Sequence, residues 1–192
     1  MINRVWFAIT QAWSQRAALK RFLTEKDKQI TALTEITASR LDEANIAILA
    51  LDFDGVLAPY DALEPLPEVQ KWLTQLSLEI GENRIVILTN KPQPERLRYF
   101  ADRFPSIFIV QDVRKKPYPD GILQIVEYKG VPPHRVLLLD DRLLTGMLAT
   151  CLSYCQGWYF CKPYQNFTLH PFKEAFFSLL RVCERWFLRF AA

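Results

Sequence analysis

The sequence predicts an open α/β fold: a parallel sheet in the middle of three layers, helices on both faces, and no separate cap domain. Three observations predict it. From residue 46 onward, short apolar β-type runs alternate with helical segments, the pattern of a parallel sheet covered on both faces. Polar, chemistry-bearing residues recur where those runs end, and an open α/β sheet collects its functional groups outside the carboxyl ends of its strands. The 192 residues, 50% hydrophobic and 23% charged, suffice for one ordinary domain with short additions and a core that needs no disulfide framework.

Residues 4–23 read as a helix carrying Trp6, Phe7, Ile9, Trp13, Leu19 and Phe22 among basic side chains, and 30–41 as a second, weaker helical stretch, so residues 1–43 form a helical extension. Strands are expected at 46–53, 84–89, 106–110, 135–139 and, shorter, at 157–160. Helices at 66–80, 94–104, 119–129 and 143–152 connect them, and 44–165 make the catalytic domain. Residues 166–192 supply a last, amphipathic and basic helix. On a helical wheel its charged residues Lys173, Glu174, Arg181, Glu184, Arg185 and Arg189 share one arc, with Phe177 and Leu188 intruding, while Phe172, Phe176, Leu179, Val182, Trp186 and Phe190 mark the opposite face.

Charge is divided unevenly. Residues 1–24 have four basic and no acidic side chains, 25–150 have 15 basic against 19 acidic, and 151–192 have five against two. An acidic middle between basic ends suggests contact with an anionic surface and argues against an extended nucleic-acid groove. No apolar stretch approaches the roughly 20 residues that span a bilayer, and the segment after Arg4 lacks a clean cleavage site, so an intracellular protein is expected. Cys151, Cys155, Cys161 and Cys183 match no usual zinc spacing and read as buried free thiols; His134 and His170 read as loop or cap residues.

The sharpest feature is Leu51-Asp52-Phe53-Asp54-Gly55-Val56-Leu57-Ala58-Pro59-Tyr60. Two carboxylates lie where a buried strand ends, and Gly55 lets the chain turn tightly. Their burial requires a cation or a satisfied hydrogen-bond network, and Mg²⁺ suits hard oxygen donors beside phosphate. Further along, the second strand of this domain ends in Leu88-Thr89-Asn90-Lys91, Lys115-Lys116-Pro117 precedes a helix, and the fourth strand ends in Leu139-Asp140-Asp141-Arg142. Each could be a cap or a solvated charge. Together, in this order at strand ends, they form a phosphate-handling constellation.

These residues resemble the four motifs of the haloacid dehalogenase superfamily: Asp52-Phe53-Asp54-Gly55-Val56, Thr89, Lys116-Pro117 and Asp140-Asp141, over about 100 residues. The resemblance implies a Rossmannoid sheet and a phosphatase. Asp52 would be the nucleophile, Asp54 the acid and then base, and Thr89, Asn90 and Lys116 would hold phosphate. Asp52, the Asp54 backbone carbonyl and Asp141 would bind Mg²⁺, with Asp140 a further candidate. For the acid role, Asp54 should lie where its protonated form is favoured or receive its proton through the bound substrate. Only 35 positions separate Asp54 from Thr89 and 27 separate Thr89 from Lys116, too few for a lid domain, which implies an open site.

The whole chain is also similar to the YqeG type and the mitochondrial phosphatidylglycerophosphate phosphatases, through Arg21-Phe22-Leu23, the 51–60 loop, Lys115-Lys116-Pro117, the 139–146 segment and the basic last helix. That group implies a lipid phosphate substrate. Its usual fourth motif reads Gly-Asp-Gln-Leu, a variable residue, Thr and Asp; here Asp140, Arg142 and Gly146 depart from it, and Asp140 is the candidate replacement for the carboxylate missing at 146. The expected partners are a phosphomonoester, lipid-borne if the resemblance extends to the substrate, and an anionic membrane surface met by the basic terminal helices on the cytoplasmic face. Alternatives are a phosphotyrosine or soluble-ester phosphatase, a catalytically silent binding protein, and a last helix packed on the core or a second subunit. An oligomer is possible and is not expected.

Overall fold

The structure, a computed structural model, describes residues 2–190. Six strands, β1 (Gln29–Ile30), β2 (Ile48–Leu51), β3 (Ile85–Ile87), β4 (Phe108–Ile109), β5 (Val136–Asp140) and β6 (Gln156–Phe160), form one parallel sheet. Its spatial order is β1-β6-β5-β2-β3-β4. β2 and β5 are therefore central neighbours, and their register sets Leu51 opposite Leu139. The Asp52 N–H continues the ladder by donating to the Leu139 carbonyl at 3.0 Å. Both acidic pairs thus leave the sheet side by side, at one edge.

Successive side chains on a strand point to opposite faces. Leu49 and Leu51 accordingly enter one core with α4 (Pro67–Ile80) and α5 (Pro94–Arg103), while Ile48 and Ala50 enter another with α6 (Asp120–Lys129) and α7 (Leu148–Ser153). Between Asp54 and Lys116 the chain forms only α4, α5, β3, β4 and their short connections, and no separate cap domain. α4 opens with Pro67, whose missing N–H costs nothing in a first turn, and stops at Gly81.

Two helical expectations are corrected. The 4–23 segment is two helices, α1 (Ile2–Ser14) and α2 (Arg16–Thr24), meeting at Gln15. Ala12 of α1 and Leu19 and Phe22 of α2 enter a third core with Leu143, Met147, Leu148, Tyr159 and Leu188. The 30–41 stretch is instead edge strand β1 on β6, a short turn at Leu33–Glu35, and α3 (Ala38–Glu43). A local bond defeats the helix: the Glu35 carboxylate accepts from the Thr31 and Ala32 N–H groups, both at 2.9 Å. Ile30, Leu33, Ile36 and Leu41 still reach the first core, which is why their spacing looked helical.

The last helix, α8 (Pro171–Phe190), packs on the domain with its polar side inward. Glu174, Arg181, Glu184 and Leu188 are buried, and Phe177 stacks on Tyr60 at 3.7 Å. These residues recur at helical spacing along one face. Phe177 and Leu188, which intrude on the charged arc, are the apolar members of that packed seam. Phe172, Phe176, Leu179, Val182, Trp186 and Phe190 are exposed. All four cysteines are free, but none is fully buried, contrary to expectation: Cys151, Cys155 and Cys161 are half-buried and Cys183 is exposed. His134 sits in the turn before β5, and the His170 carbonyl accepts the Glu174 N–H at the start of α8.

Leu19 is fully enclosed by the third core and joins α2 to the sheet. Leu19→Ala is expected to lower the unfolding free energy by about 2–5 kcal/mol, as read from denaturant titration.

Candidate active site

Asp52 is the first residue beyond β2, at the point where the buried strand opens onto the sheet edge. Lys116, itself buried, places its ammonium 3.0 Å from Asp52 Oδ1 and 2.5 Å from Asp140 Oδ2, and donates to the Leu88 carbonyl at 2.9 Å. Its backbone N–H donates to Asn90 Oδ1 at 2.8 Å. Thr89 is buried at the same edge, and its Oγ1 accepts the Lys91 N–H at 3.1 Å. The structure therefore brings together Asp52, Thr89, Asn90, Lys116, Asp140 and Asp141 from four separated stretches of sequence.

Burial dominates the electrostatics. It pushes the Asp52 carboxyl well above its ordinary value, with Asp140, Asp141 and Asp54 adding to the effect and Lys116 opposing it. For Lys116, the lowering by burial is outweighed by Asp140 and Asp52, which raise its value and keep it charged. Asp141 is raised to about 6 by burial, against the opposing Arg181 and with Asp140 adding.

One oxygen of each of Asp52, Asp140 and Asp141 lies within 4.8 Å of the others, and Asp141 Oδ1 is buried with no hydrogen-bond partner. Three buried carboxylate oxygens close together, with an orphaned lone pair among them, fit a hard divalent cation. The side chain of Asp54 is not in this triad.

Asp54 is held elsewhere. Arg96 of α5, buried to 2% exposure, reaches both its oxygens, NH2 to Oδ1 at 2.6 Å and NH1 to Oδ2 at 3.1 Å. The same guanidinium donates to the Ala62 and Lys91 carbonyls and lies 3.9 Å from the centre of the Phe53 ring. Asp54 is thus oriented by a two-pronged ion pair, and the Asp61 N–H donates to its Oδ1 at 3.3 Å.

Arg181 was also missed. From α8 it pairs with Asp141 Oδ2, Nε at 2.6 Å and NH2 at 2.5 Å. Its neighbour Glu184 accepts from Arg142 Nε at 2.8 Å and from the Leu143 N–H at 2.9 Å. Gly55 makes this closure possible: its φ is +87°, and a Cβ there would lie 2.6 Å from Asp141 Oδ2 and 3.1 Å from Arg181 NH2. Arg4 of α1 donates to the Lys116 carbonyl. The only sequence signal for Arg181 was its place on the charged arc, and Arg96 had none beyond membership of a helix.

The departure at position 146 has a spatial answer. A Cβ built on Gly146 would lie 2.0 Å from Asp140 Cγ, so the Asp140 carboxylate occupies the space that a side chain at 146 would take. Lys116 receives a carboxylate there from β5, and not from the π-helical turn Leu143–Met147 that follows.

A family model described as haloacid dehalogenase-like hydrolase matches residues 3–149, a span that ends before β6 and α8. No curated protein sequence matches the chain. Similar solved structures include a hypothetical protein from Xanthomonas campestris (15% identity, 85% of this chain and 99% of that one, TM-score 0.49). Another is an uncharacterized protein from Corynebacterium glutamicum (21% identity, 71% and 96%, TM-score 0.48). A third is a predicted phosphoglycolate phosphatase from Haemophilus somnus (12% identity, 63% and 88%, TM-score 0.42).

Two single changes and their combination test the exchange of carboxylates. Asp140→Gly takes one of its two carboxylate partners from the buried Lys116 and Gly146→Asp forces two carboxylates into one space, so each should cost about 3–5 kcal/mol in denaturant unfolding. The double variant should recover more than half of that loss.

Proposed function

The chain belongs to the haloacid dehalogenase-like hydrolases as a phosphatase-type member, and on that premise we propose that it hydrolyses a lipid-borne phosphomonoester through an aspartyl-phosphate on Asp52, with Mg²⁺ as cofactor. The observation that carries the chemistry is the Asp52 carboxylate held 3.0 Å from the Lys116 ammonium inside a buried acidic triad. A nucleophilic anion has to meet an anionic phosphate, and a fixed ammonium in a water-poor site offsets that repulsion at the reacting atoms. Lys116 lies between Asp52 and Asp140, so its position is set before substrate arrives.

In the first step an Asp52 oxygen bonds to phosphorus and the ester P–O bond breaks, with Asp54 giving a proton to the leaving oxygen. In the second, water attacks the phosphorus of the aspartyl-phosphate, Asp54 takes the water's proton, and the bond to Asp52 breaks to release phosphate. Thr89 and Asn90, at the adjacent strand end, orient the phosphoryl oxygens. Asp52, Asp140, Asp141 and the Asp54 carbonyl would hold Mg²⁺, which when bound neutralises phosphate charge. Arg96 orients Asp54 between its two tasks.

The lipid reading is supported by the segments similar to the YqeG type and the mitochondrial phosphatidylglycerophosphate phosphatases, and by the lack of a cap over the site. In this reading the substrate is phosphatidylglycerophosphate or a related lipid phosphate, met at the cytoplasmic face of a membrane. A bulky headgroup at a surface can approach an uncapped sheet edge without a lid opening.

Asp52→Asn should keep the fold, as judged by circular dichroism, and reduce Mg²⁺-dependent phosphate release by roughly three orders of magnitude or more. Unchanged release would remove Asp52 from the nucleophile's role. A comparison of phosphatidylglycerophosphate in vesicles with phosphotyrosine peptides and sugar phosphates should show preferred turnover of the lipid. Turnover of the soluble esters alone would overturn the lipid assignment and leave the phosphatase assignment standing.

A further inference from the structure

We propose that the outer faces of α1 and α8 together form a docking surface for the headgroup interface of an anionic bilayer. The observation behind this is the inverted packing of α8. A terminal helix of a soluble domain normally hides its apolar stripe and shows its charges. Here the stripe is outside: Phe172 is 89% exposed, Trp186 60% and Phe190 71%. α1 adds Trp6, 67% exposed, with Val5, Ile9 and Trp13 also in solvent. Trp13 and Phe187 approach to 6.3 Å between ring centres, so the two helices present one continuous patch.

Charge selects the occupant. Both acidic residues of α8, Glu174 and Glu184, are buried and hydrogen-bonded to the domain, whereas Arg189 is exposed and Arg185 partly so; Lys173, also exposed, is paired with Asp61. α1 and α2 contain no acidic residue. The surface therefore offers aromatic and aliphatic side chains with basic ones and no exposed carboxylate from these three helices. Tryptophan at the water boundary and arginine or lysine near lipid phosphates are the composition of a helix lying in an interface. None of the described helices is long and apolar enough to cross a membrane, so α8 would lie along the surface.

Position supports the same occupant. An open groove of about 430 Å³ runs between α1 and α8, lined by Val5, Ile9, Leu144, Leu180 and Phe187, and reaches Pro117 and Arg142. Pro117 follows the phosphate-binding Lys116, and Arg142 follows Asp141, so the apolar surface leads to the catalytic edge of the sheet. α8 is buried on its other side through Arg181 and Glu184, which makes the docking face and the clamp on Asp141 two sides of one helix. The orientation toward a lipid phosphate rests on the function proposed above; the surface itself does not.

The test uses the full chain with sedimentable vesicles of phosphatidylcholine alone or mixed with phosphatidylglycerol. The wild-type protein should sediment with the mixed vesicles, with its tryptophan emission shifted to the blue. Trp6→Ser, Phe176→Ser and Trp186→Ser together should weaken that binding by roughly tenfold or more. Circular dichroism and the unfolding midpoint should stay unchanged, because these side chains are exposed. Arg185→Gln with Arg189→Gln should reduce binding to the mixed vesicles and weaken its salt dependence.

Wild-type protein that stays in the supernatant, or a triple variant that binds as tightly as wild type, overturns the proposal. So does a dimer that the triple variant dissociates while vesicles bind neither form. Hydrolysis of p-nitrophenyl phosphate is read in parallel. Hydrolysis without vesicle binding overturns the docking surface alone, and vesicle binding without hydrolysis of any ester overturns the phosphatase reading alone.

Discussion

Four buried carboxylates, Asp52, Asp54, Asp140 and Asp141, crowd the carboxyl ends of two adjacent strands, and the rest of the molecule is arranged to answer their charge. Three buried cations do so from three different places: Lys116 from the loop before α6, Arg96 from α5 and Arg181 from α8. A buried charge without a partner is far more costly than a surface one. Each cation therefore fixes the element that carries it. α5 lies where its arginine can span both oxygens of Asp54, and α8 lies where its polar side meets Asp141. Even so, three cations against four carboxylates leave a deficit, which adds to burial in raising Asp52 and Asp141 and leaves one oxygen of Asp141 unpartnered.

The same constraint explains why α8 is inside out. Its inward face is chosen by charge, through Arg181, Glu184 and Glu174, and not by hydrophobic area, so its aromatic residues face solvent. Phe177 on Tyr60 and Leu188 in the third core supply the apolar contacts of the seam. The site and the surface beside it are consequences of one packing choice.

Much of this was legible in the sequence because it is local. The β2 and β5 runs, the helices between them and the acidic strand ends each lie within a few residues, and a parallel sheet then fixes where those ends point. The role of Asp140 against Gly146 could be posed from the motif but needed a Cβ position to decide. Arg96 and Arg181 were not legible as site residues, since their partners lie 42 and 40 positions away and an arginine on a helix is ordinarily a solvated one. The 30–41 stretch misled because burial at helical spacing is also met by a strand, a turn and a short helix when a carboxylate such as Glu35 closes the turn. The direction of α8 was hidden for a related reason: a helical wheel separates two faces without saying which one is inside.

The two strands at the margins of the sheet, β1 and β4, are each only two residues long. Unpaired N–H and C=O groups on an edge strand are a template for another chain, and very short edges withhold it. In this molecule each edge offers a second chain a template only two residues long, so self-association at high concentration would begin with the side chains of the terminal helices. Detergent or lipid, more than salt or sequence changes in the sheet, is then the natural means of keeping the protein monodisperse.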